Sequence, residues 1–216
     1  GNTAGYYATG SYNVFVGYES GKGGTSSTPY STGEHNIGMG YRSLYGFTTG
    51  DDNVAIGSYS GDAITTGTYN ISMGQYSLTS VTSGGSNIGI GRLAGTNNTT
   101  ANSNMYIGYA AGYANQTGTY NTIVGNYSVA QTTGVVNFSG VTTLGFQAGY
   151  YATGSNNTFV GAYSGNGNSS APHSSGQLNT FVGKDAGKEF TTGGYNNALG
   201  AEALDALTTG VENQAM

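Results

Sequence analysis

Aliphatic residues recur along the chain in pairs separated by one position, and each pair follows an asparagine and precedes a glycine. A clean copy of this motif is Gly50-Asp51-Asp52-Asn53-Val54-Ala55-Ile56-Gly57-Ser58-Tyr59-Ser60-Gly61. Positions that lie two apart share a face of a β-strand, so each copy predicts a short strand. A helix does not fit the motif, because each fixed glycine would cost about 1 kcal/mol relative to alanine.

The motif repeats most often every 17 residues, as from Asn36 to Asn53, and it runs through the whole chain. The anchoring asparagines are Asn13, Asn36, Asn53, Asn70, Asn87, Asn104, Asn121, Asn157, Asn179, Asn196 and Asn213, and Val141 takes this place in a twelfth copy. Two of the longer spacings hold the insertions 22–32 and 166–175. Such a ladder predicts an all-β fold, a β-solenoid (parallel β-roll) of about twelve coils in which 1–216 form one repetitive domain.

Stacked coils place equal motif positions in columns, and the column three residues after the asparagine is predicted to form the core ladder. Its members are Val16, Met39, Ile56, Met73, Ile90, Ile107, Val124, Leu144, Val160, Val182, Leu199 and Met216. The asparagine column is predicted to be structural, a ladder of amide hydrogen bonds between coils, in preference to a ligand site. Each coil offers little apolar surface to bury, so we expect the solenoid to form an oligomeric fibre.

The composition excludes several classes of function. The 216 residues include 40 Gly, 5 Lys and Arg, 10 Asp and Glu, and no Cys or Trp, with a formal net charge of −5. Five cations give no electrostatic footprint for nucleic acid, and no apolar run approaches the ~18–20 residues of a transmembrane helix. Without cysteine there are no thiolate metal sites or cysteine nucleophiles. Nineteen tyrosines argue against the disordered linker that so much glycine would otherwise suggest.

Few side chains are suited to acid–base or metal chemistry. His35 and His173 are the only side chains that titrate near neutrality, and acids such as Asp62 and Asp185 are scattered. A surface position in a loop is therefore the preferred interpretation of both histidines. Glycine patterns such as Gly89-Ile90-Gly91 lack the helix and the Lys-Ser/Thr pair of a phosphate loop. We predict no enzymatic activity, no cofactor and no metal.

Tyrosines beside the motif form the candidate binding surface. Four directly precede the asparagine and four lie two residues after the glycine: Tyr12, Tyr69, Tyr120 and Tyr195, then Tyr59, Tyr76, Tyr127 and Tyr163. Stacked tyrosines suit an amphipathic platform for a glycan or a protein receptor, and packing between protomers is the alternative interpretation. Threonine pairs such as Thr65-Thr66 raise a further alternative, an ice-binding face, although Ala101 and Ser174-Ser175 interrupt that array.

The stretch Asn53-Val54-Ala55-Ile56-Gly57-Ser58-Tyr59-Ser60 resembles the repeat in head domains of trimeric autotransporter adhesins, which reads N-S-V-A-I-G-x-x-S. The longer form, with Asn-Thr-Phe-Val-Gly at 157–161 and 179–183, is similar to repeats of bacteriophage tail fibres and related surface fibres. The adhesin family folds as a left-handed parallel β-roll that trimerises, with the Val and Ile positions facing inward. The resemblance therefore implies a trimeric surface fibre.

Larger units are visible as well, since the octapeptide at 4–11 recurs at 148–155 and the two chain ends would join into an unbroken motif. The chain is accordingly interpreted as a segment that could belong to a longer tandem array. The sequence predicts a non-enzymatic structural or adhesive fibre protein, extracellular, at a cell surface or on a virion, that binds through a repeated Tyr/Thr/Asn surface. Its predicted partners are copies of itself, as a trimer or an end-to-end filament, and a cell-surface glycan or protein receptor. The alternatives are a self-assembling extracellular filament with a purely structural role and an ice-binding solenoid.

Overall fold

The computed structural model describes residues 1–24, 30–130, 136–169 and 174–216. The chain forms two compact units, Gly1–Tyr106 and Ile107–Met216. Each motif contributes one strand: β1 (Val14–Val16), β2 (Ile37–Met39), β3 (Val54–Ile56), β4 (Ile71–Met73), β5 (Ile88–Ile90), β6 (Met105–Ile107), β7 (Thr122–Val124), β8 (Thr142–Leu144), β9 (Thr158–Val160), β10 (Thr180–Val182), β11 (Asn197–Leu199) and β12 (Gln214–Ala215). The described residues contain no α-helix.

The strands pair in chain order, β1 to β5 in the first unit and β7 to β12 in the second, and each of these pairs is parallel. The register aligns equal motif positions, so that Val54 lies opposite Ile71 and Ile56 opposite Met73. Neighbouring parallel strands cannot be joined by a hairpin, and here a whole coil joins them. Each unit is therefore a parallel β-solenoid, and the predicted all-β solenoid is confirmed.

Left-handed backbone turns the chain at the corners of every coil. The glycine after each strand is required, because Gly57 has φ +131° and an added Cβ there would lie 2.8 Å from the carbonyl carbon of Gly74 in the next coil. The residue before the asparagine and the second residue after the glycine are also left-handed without being glycine, as at Tyr69 (φ 58°) and Tyr59 (φ 55°). These corners bring each strand back directly above the preceding one.

The predicted core ladder lies on the outside of each unit, and the prediction was wrong. Val16, Met39, Met73, Ile90, Leu144, Leu199 and Met216 are exposed, and Ile56, Ile107, Val124, Val160 and Val182 are only half-buried. A strand of three residues points its middle side chain inward and its first and third side chains outward. Hydrophobic alternation identifies the two faces of a strand, but it does not say which of them is covered by the same chain.

The core of each coil is filled by the middle residue of the strand together with the residue six positions later. Where the first is phenylalanine the second is glycine: an added Cβ at Gly187 would lie 2.3 Å from the ring of Phe181. Where the first is small the second is leucine in three coils, as for Ser72 and Leu78, both fully buried. Ala55 and Gly89 are instead followed by Gly61 and Gly95, where an added Cβ would lie 3.5 Å from Leu44 and 2.7 Å from Leu78 of the preceding coil. The inner volume is therefore filled either by the pair itself or by the leucine of the neighbouring coil, although neither column is uniform. Large side chains from other parts of the coil complete the core: Phe47, Ile64, Val81, Phe138 and Phe190.

Both insertions return to the coil at a serine. Ser31 Oγ donates to the Phe47 carbonyl oxygen at 2.7 Å, and Ser174 Oγ donates to the Phe190 carbonyl oxygen at 2.6 Å. The same serines form single parallel bridges with Ala8 and Ala152. The insertions are thus tied to their own coil and to the next one at equivalent points. Outside the described residues lie 25–29 and 170–173, and with them Pro29, Pro172 and the candidate base His173.

Candidate functional site

A column of asparagine amides links successive coils in each unit. In the first unit the backbone N and Nδ2 of Asn70 both donate to Oδ1 of Asn53 at 3.0 Å. Asn87 donates in the same way to Oδ1 of Asn70, and Nδ2 of Asn70 also donates to the Gly84 carbonyl oxygen at 2.9 Å. Both Oδ1 and Nδ2 of Asn70 therefore have hydrogen-bond partners within the solenoid, which indicates a structural role for this side chain. The buried members of the column are Asn36, Asn53, Asn70, Asn87, Asn104, Asn121, Asn157, Asn179 and Asn196. Asn13 and Asn213 are the half-buried members.

The column of the second unit is interrupted at Val141. The backbone N of Val141 still donates to Oδ1 of Asn121 at 2.9 Å, but its side chain offers the next coil no amide oxygen. Asn157 instead uses Nδ2 to reach the Gly154 carbonyl oxygen of its own coil at 3.0 Å. The column resumes at Asn179, whose backbone N donates to Oδ1 of Asn157 at 2.9 Å. One missing amide is thus tolerated without loss of the strand register.

The outward face of β1 to β5 is apolar at every position, and we name it the apolar stripe. Its residues are Val14, Val16, Ile37, Met39, Val54, Ile56, Ile71, Met73, Ile88 and Ile90. Val14 and Val16 are half exposed, at 50% and 51%, and none of the ten is buried. Monomeric proteins seldom leave contiguous aliphatic surface uncovered, and when they do it marks an interaction site.

The corresponding face of the second unit is apolar in only one of its two columns. The column formed by the first residue of each strand is polar: Thr122, Thr142, Thr158, Thr180, Asn197 and Gln214. The column formed by the third residue stays aliphatic, with Leu144 and Leu199 more than half exposed. The two units therefore offer different outward chemistry on the same backbone scaffold.

The predicted tyrosine surface divides into two kinds of column. The tyrosines before the asparagine are 61–78% exposed: Tyr12, Tyr69, Tyr120 and Tyr195. Those after the glycine pack against other rings, and Tyr59 and Tyr76 stack with centroids 5.1 Å apart. Tyr127 meets Tyr109 edge-on at 4.8 Å, and Tyr163 meets Phe146 edge-on at 5.4 Å. The first column is thus open amphipathic surface, and the second is a packed aromatic ridge.

Two buried carboxylates, one in each unit, form ion pairs with four of the five cations, a role that the repeat motif itself does not indicate. Glu19 accepts from Lys22 Nζ and from Arg42 Nε, both at 2.7 Å, and Arg42 belongs to the next coil. The hydrogen bond from Lys22, followed by that from Arg42, lowers the pKa of the Glu19 carboxyl group. The spacing of an acid and a lysine three residues apart was the available signal.

Asp185 takes the equivalent motif position in the second unit and has a similar role. Its carboxylate accepts from Lys184 and lies 3.3 Å from Lys188 Nζ. The hydrogen bond from Lys184 is the main reason that the pKa of Asp185 is lowered. Both of its cations come from its own coil, so this cluster does not tie two coils together as Glu19 does.

His35 lies at the surface between Tyr12 and Asp52. Its ring stacks on Tyr12 with centroids 5.0 Å apart, and its Nδ1 is 3.9 Å from Asp52 Oδ1. No group of three or more His, Asp or Glu side chains that could hold a metal ion occurs within the described ranges. Asp62 accepts a hydrogen bond from the Thr79 hydroxyl, and burial raises the pKa of its carboxyl group.

The threonine pairs, such as Thr48-Thr49 and Thr65-Thr66, lie at a corner of the coil that we name the threonine corner. Many of their hydroxyls donate hydrogen bonds to backbone carbonyl oxygens. Thr48 Oγ1 donates to the Thr65 carbonyl oxygen at 3.1 Å, and Thr65 Oγ1 donates to the Thr82 carbonyl oxygen at 3.1 Å. The following residue of each corner, such as Thr66, faces solvent. One hydroxyl of each of these pairs is therefore committed to holding adjacent coils together.

No protein family model, curated protein or solved structure matches this chain. Within the residues that the structure describes, no helix is long and apolar enough to cross a bilayer. The most extensive surface features of the described residues are the apolar stripe and the two tyrosine columns.

Proposed function

We propose that this chain is a non-enzymatic structural and adhesive fibre protein of an extracellular, cell-surface or virion location, whose copies associate through the apolar stripe. The observation that carries the proposal is the uncovered row of ten Val, Ile and Met side chains on β1 to β5. Association would cover this face and leave the open tyrosine column, at Tyr12 and Tyr69, for contact with a receptor.

The size of the stripe favours an extended partner. Covering the exposed part of each aliphatic side chain contributes about 1 kcal/mol, roughly half of the value for full burial. Association itself costs about 4–15 kcal/mol in lost freedom of motion. A partner must therefore cover most of the stripe at once, and a small or compact ligand does not.

A second copy of this chain fits that requirement. Its strands have the same spacing of about 4.8 Å, so side-chain rows of two copies can interdigitate at every coil. Although each copy carries a net charge of −5, no residue of the stripe is charged, so face-to-face contact buries no like charges. A two-fold contact of this kind is self-complementary, and a three-fold bundle can use the same face.

Sedimentation velocity of the full chain over micromolar concentrations tests the proposal. We expect oligomers for the wild type and for Thr66→Asp, an exposed corner position used as the control, and monomers for the variant Ile71→Asp/Met73→Asp. Circular dichroism checks that all variants stay folded. A wild type that remains monomeric across this range, or a face variant that associates as well as the control, would contradict the proposal.

The alternative function, a self-assembling extracellular filament with a purely structural role, uses the same stripe. The two differ in the form of the assembly, because a filament propagates and an adhesin closes into a bundle. Electron microscopy of the associated wild type distinguishes filaments of indefinite length from particles of fixed size.

A further inference from the structure

An open cleft beside the first insertion is lined by Tyr6, Tyr7, Thr9 and Tyr30 and has a volume of about 300 Å³. Tyr6 stands edge-on to Tyr7, with centroids 4.7 Å apart and ring planes at 86°. Tyr7 and Tyr30 are parallel to within 3°, with centroids 6.3 Å apart. The cleft therefore has aromatic walls in two perpendicular orientations.

The backbone holds these walls in place. Ala8 and Ser31 form a parallel bridge, in which the Thr9 N donates to the Ser31 carbonyl oxygen at 2.8 Å and the Ser31 N donates to the Tyr7 carbonyl oxygen at 3.1 Å. The Tyr7 N also donates to the Lys22 carbonyl oxygen at 2.7 Å. A site built on bonded backbone is organised before a ligand arrives, which lowers the cost of binding.

The polar groups of the cleft are neutral and have bonding capacity to spare. Within the described residues, the phenol hydroxyls of Tyr6, Tyr7 and Tyr30 have no hydrogen-bond partner. Thr9 Oγ1 donates to the Ser31 carbonyl oxygen at 3.2 Å and keeps its own lone pairs free to accept. Among the described residues that line the cleft none is charged, and Nζ of the nearby Lys22 donates to Glu19 at 2.7 Å.

We infer that this cleft binds a neutral saccharide, an inference that deepens the adhesive part of the function proposed above and rests on it. A sugar ring has an apolar C–H face, which suits the face of an aromatic ring, and a rim of hydroxyls, which suits phenol and threonine hydroxyls. The volume lies at the lower end of ligand sites and holds one or two sugar rings. An anionic ligand would find no free cation there, and a peptide helix would not fit so small a concavity.

The same octapeptide builds a related corner in the second unit. Tyr150 stands edge-on to Tyr151 at 4.7 Å, and Thr153 Oγ1 donates to the Ser174 carbonyl oxygen at 3.2 Å. Tyr150, unlike Tyr6, packs against Tyr127 at 6.4 Å, and burial raises the pKa of its hydroxyl. The arrangement is thus a recurring feature of the repeat, and its open form is the one at Tyr6.

A glycan array that carries neutral and anionic oligosaccharides tests the inference on the full chain. Saturation-transfer NMR with the neutral sugars that bind then locates the contact. We expect neutral sugars to bind, and Tyr6→Ala and Tyr30→Ala to weaken binding by about tenfold or more. The control is Tyr113→Ala, an exposed tyrosine outside the cleft and outside both tyrosine columns. Tyr69→Ala tests the open tyrosine column as the alternative site, because Tyr69 is 63% exposed and Tyr6 is 64% exposed. Tyr6→Phe keeps the ring and is expected to retain part of the affinity.

Three results would overturn the inference: no binding of neutral sugars, binding of anionic sugars alone, or a loss of binding in Tyr69→Ala but not in Tyr6→Ala. The last would move adhesion to the tyrosine column and leave the proposed function standing. Sedimentation of the same samples shows whether self-association, the other part of that function, holds independently. Unchanged thermal midpoints in all variants exclude unfolding as the cause of lost binding.

Discussion

The two units are built from the same coil, but the first places its large strand side chains on the outward face and the second places large side chains inside. In the first unit the middle residues of β2 to β5 are small, as at Ala55 and Gly89, and the outward face is wholly aliphatic. In the second unit β9 and β10 place Phe159 and Phe181 inside, and one outward column is polar. The backbone register is maintained in both. Leu44 and Leu78 fill the space left by the small inner residues of their own and the next coil, and Gly165 and Gly187 leave room for the two phenylalanines. The outward face is under no such constraint, so it is where the two units can differ in function.

The largest expected effect comes from breaking the compensation in the second unit. Phe181→Ala should lower the free energy of unfolding by about 3–5 kcal/mol, because it empties the space beside Gly187. In the first unit Ala55→Gly removes only one methyl group and should cost about 1 kcal/mol. Denaturant unfolding followed by circular dichroism measures both values.

A compensating change should recover part of that loss. Phe181→Ala/Gly187→Leu reproduces the pattern of Ala198 and Leu204, and Leu204 already has φ 55°. We expect about half of the loss to return, since a left-handed leucine costs about 1–2 kcal/mol. Gly187→Leu alone is the control and should destabilise by overpacking. A double variant no more stable than Phe181→Ala would show that volume is not what the pair conserves.

The asparagine column offers the next comparison, intact in the first unit and interrupted in the second. Asn70→Ala removes the acceptor of two Asn87 donors and should cost about 2–4 kcal/mol. Val141→Asn should stabilise the second unit by about 0.5–1 kcal/mol, because it supplies the missing amide. Unfolding free energies of both variants test this, and a stabilised Asn70→Ala would contradict the structural part assigned to the column.

Much of this architecture follows from the printed sequence, and the part that does not has a physical reason. The 17-residue period and the triplet after each asparagine correctly predict a strand at every motif. The inward face was assigned wrongly because Val54 and Ile56 look like core, whereas Ala55 between them looks incidental. The middle residue of the strand varies among Phe, Gly, Ala, Ser, Tyr, Ile and Thr. This position taken alone therefore shows no hydrophobic pattern that would mark it as core. The core becomes visible only when this position is compared with the one six residues later, in the same coil for Ser72 with Leu78 and across coils for Gly89 with Leu78.

The candidate site was predictable in its composition but not in its placement. Periodicity locates Tyr69 and Tyr59 in columns, yet it cannot tell that Tyr69 is 63% exposed whereas the ring of Tyr59 packs on Tyr76. That difference depends on which rings the neighbouring coils supply, as Tyr76 does for Tyr59. The cleft at Tyr6 depends on a long-range bridge between Ala8 and Ser31, which no local pattern indicates.

The outward faces can be exchanged to test which chemistry drives association. Replacing Thr122, Thr142, Thr158 and Thr180 together by Val makes the face of the second unit resemble that of the first. We expect self-association to tighten by about tenfold, equivalent to about 1.4 kcal/mol, because more apolar surface is covered. Sedimentation equilibrium measures it, with Thr66→Val as the control. An unchanged or weaker association would show that the second unit lies away from the interface.

The smallest expected effect separates the two carboxylate clusters by their response to acid. The pKa of Glu19 is lower in the folded than in the unfolded chain, so its hydrogen bonds stabilise the fold above about pH 4.3. This stabilisation is lost as the pH falls through the folded pKa. Glu19→Gln should therefore flatten the fall of the thermal midpoint below that pH. Asp185→Asn should flatten it as well but from about pH 3.9 downward, because the pKa of an aspartate in the unfolded chain is lower than that of a glutamate.

Thermal midpoints between pH 2 and pH 7 for the wild type and the two variants measure this difference. Glu202→Gln, at the equivalent but exposed position, serves as the control. Identical acid curves for the wild type and Glu19→Gln would show that the bond from Lys22 and the bond to the neighbouring coil contribute nothing to stability.

The left-handed corners have a consequence for cooperativity. Among the described residues, 27 that are not glycine have positive φ, each at a cost of about 1–2 kcal/mol. A single coil is therefore intrinsically unfavourable, and only its contacts with the coils on either side make it stable. In a one-dimensional description, an unfavourable term for each repeat and a favourable term for each junction suppress short folded stretches. Each unit should accordingly fold and unfold in long blocks of coils, with few populated states in which only one or two coils are folded.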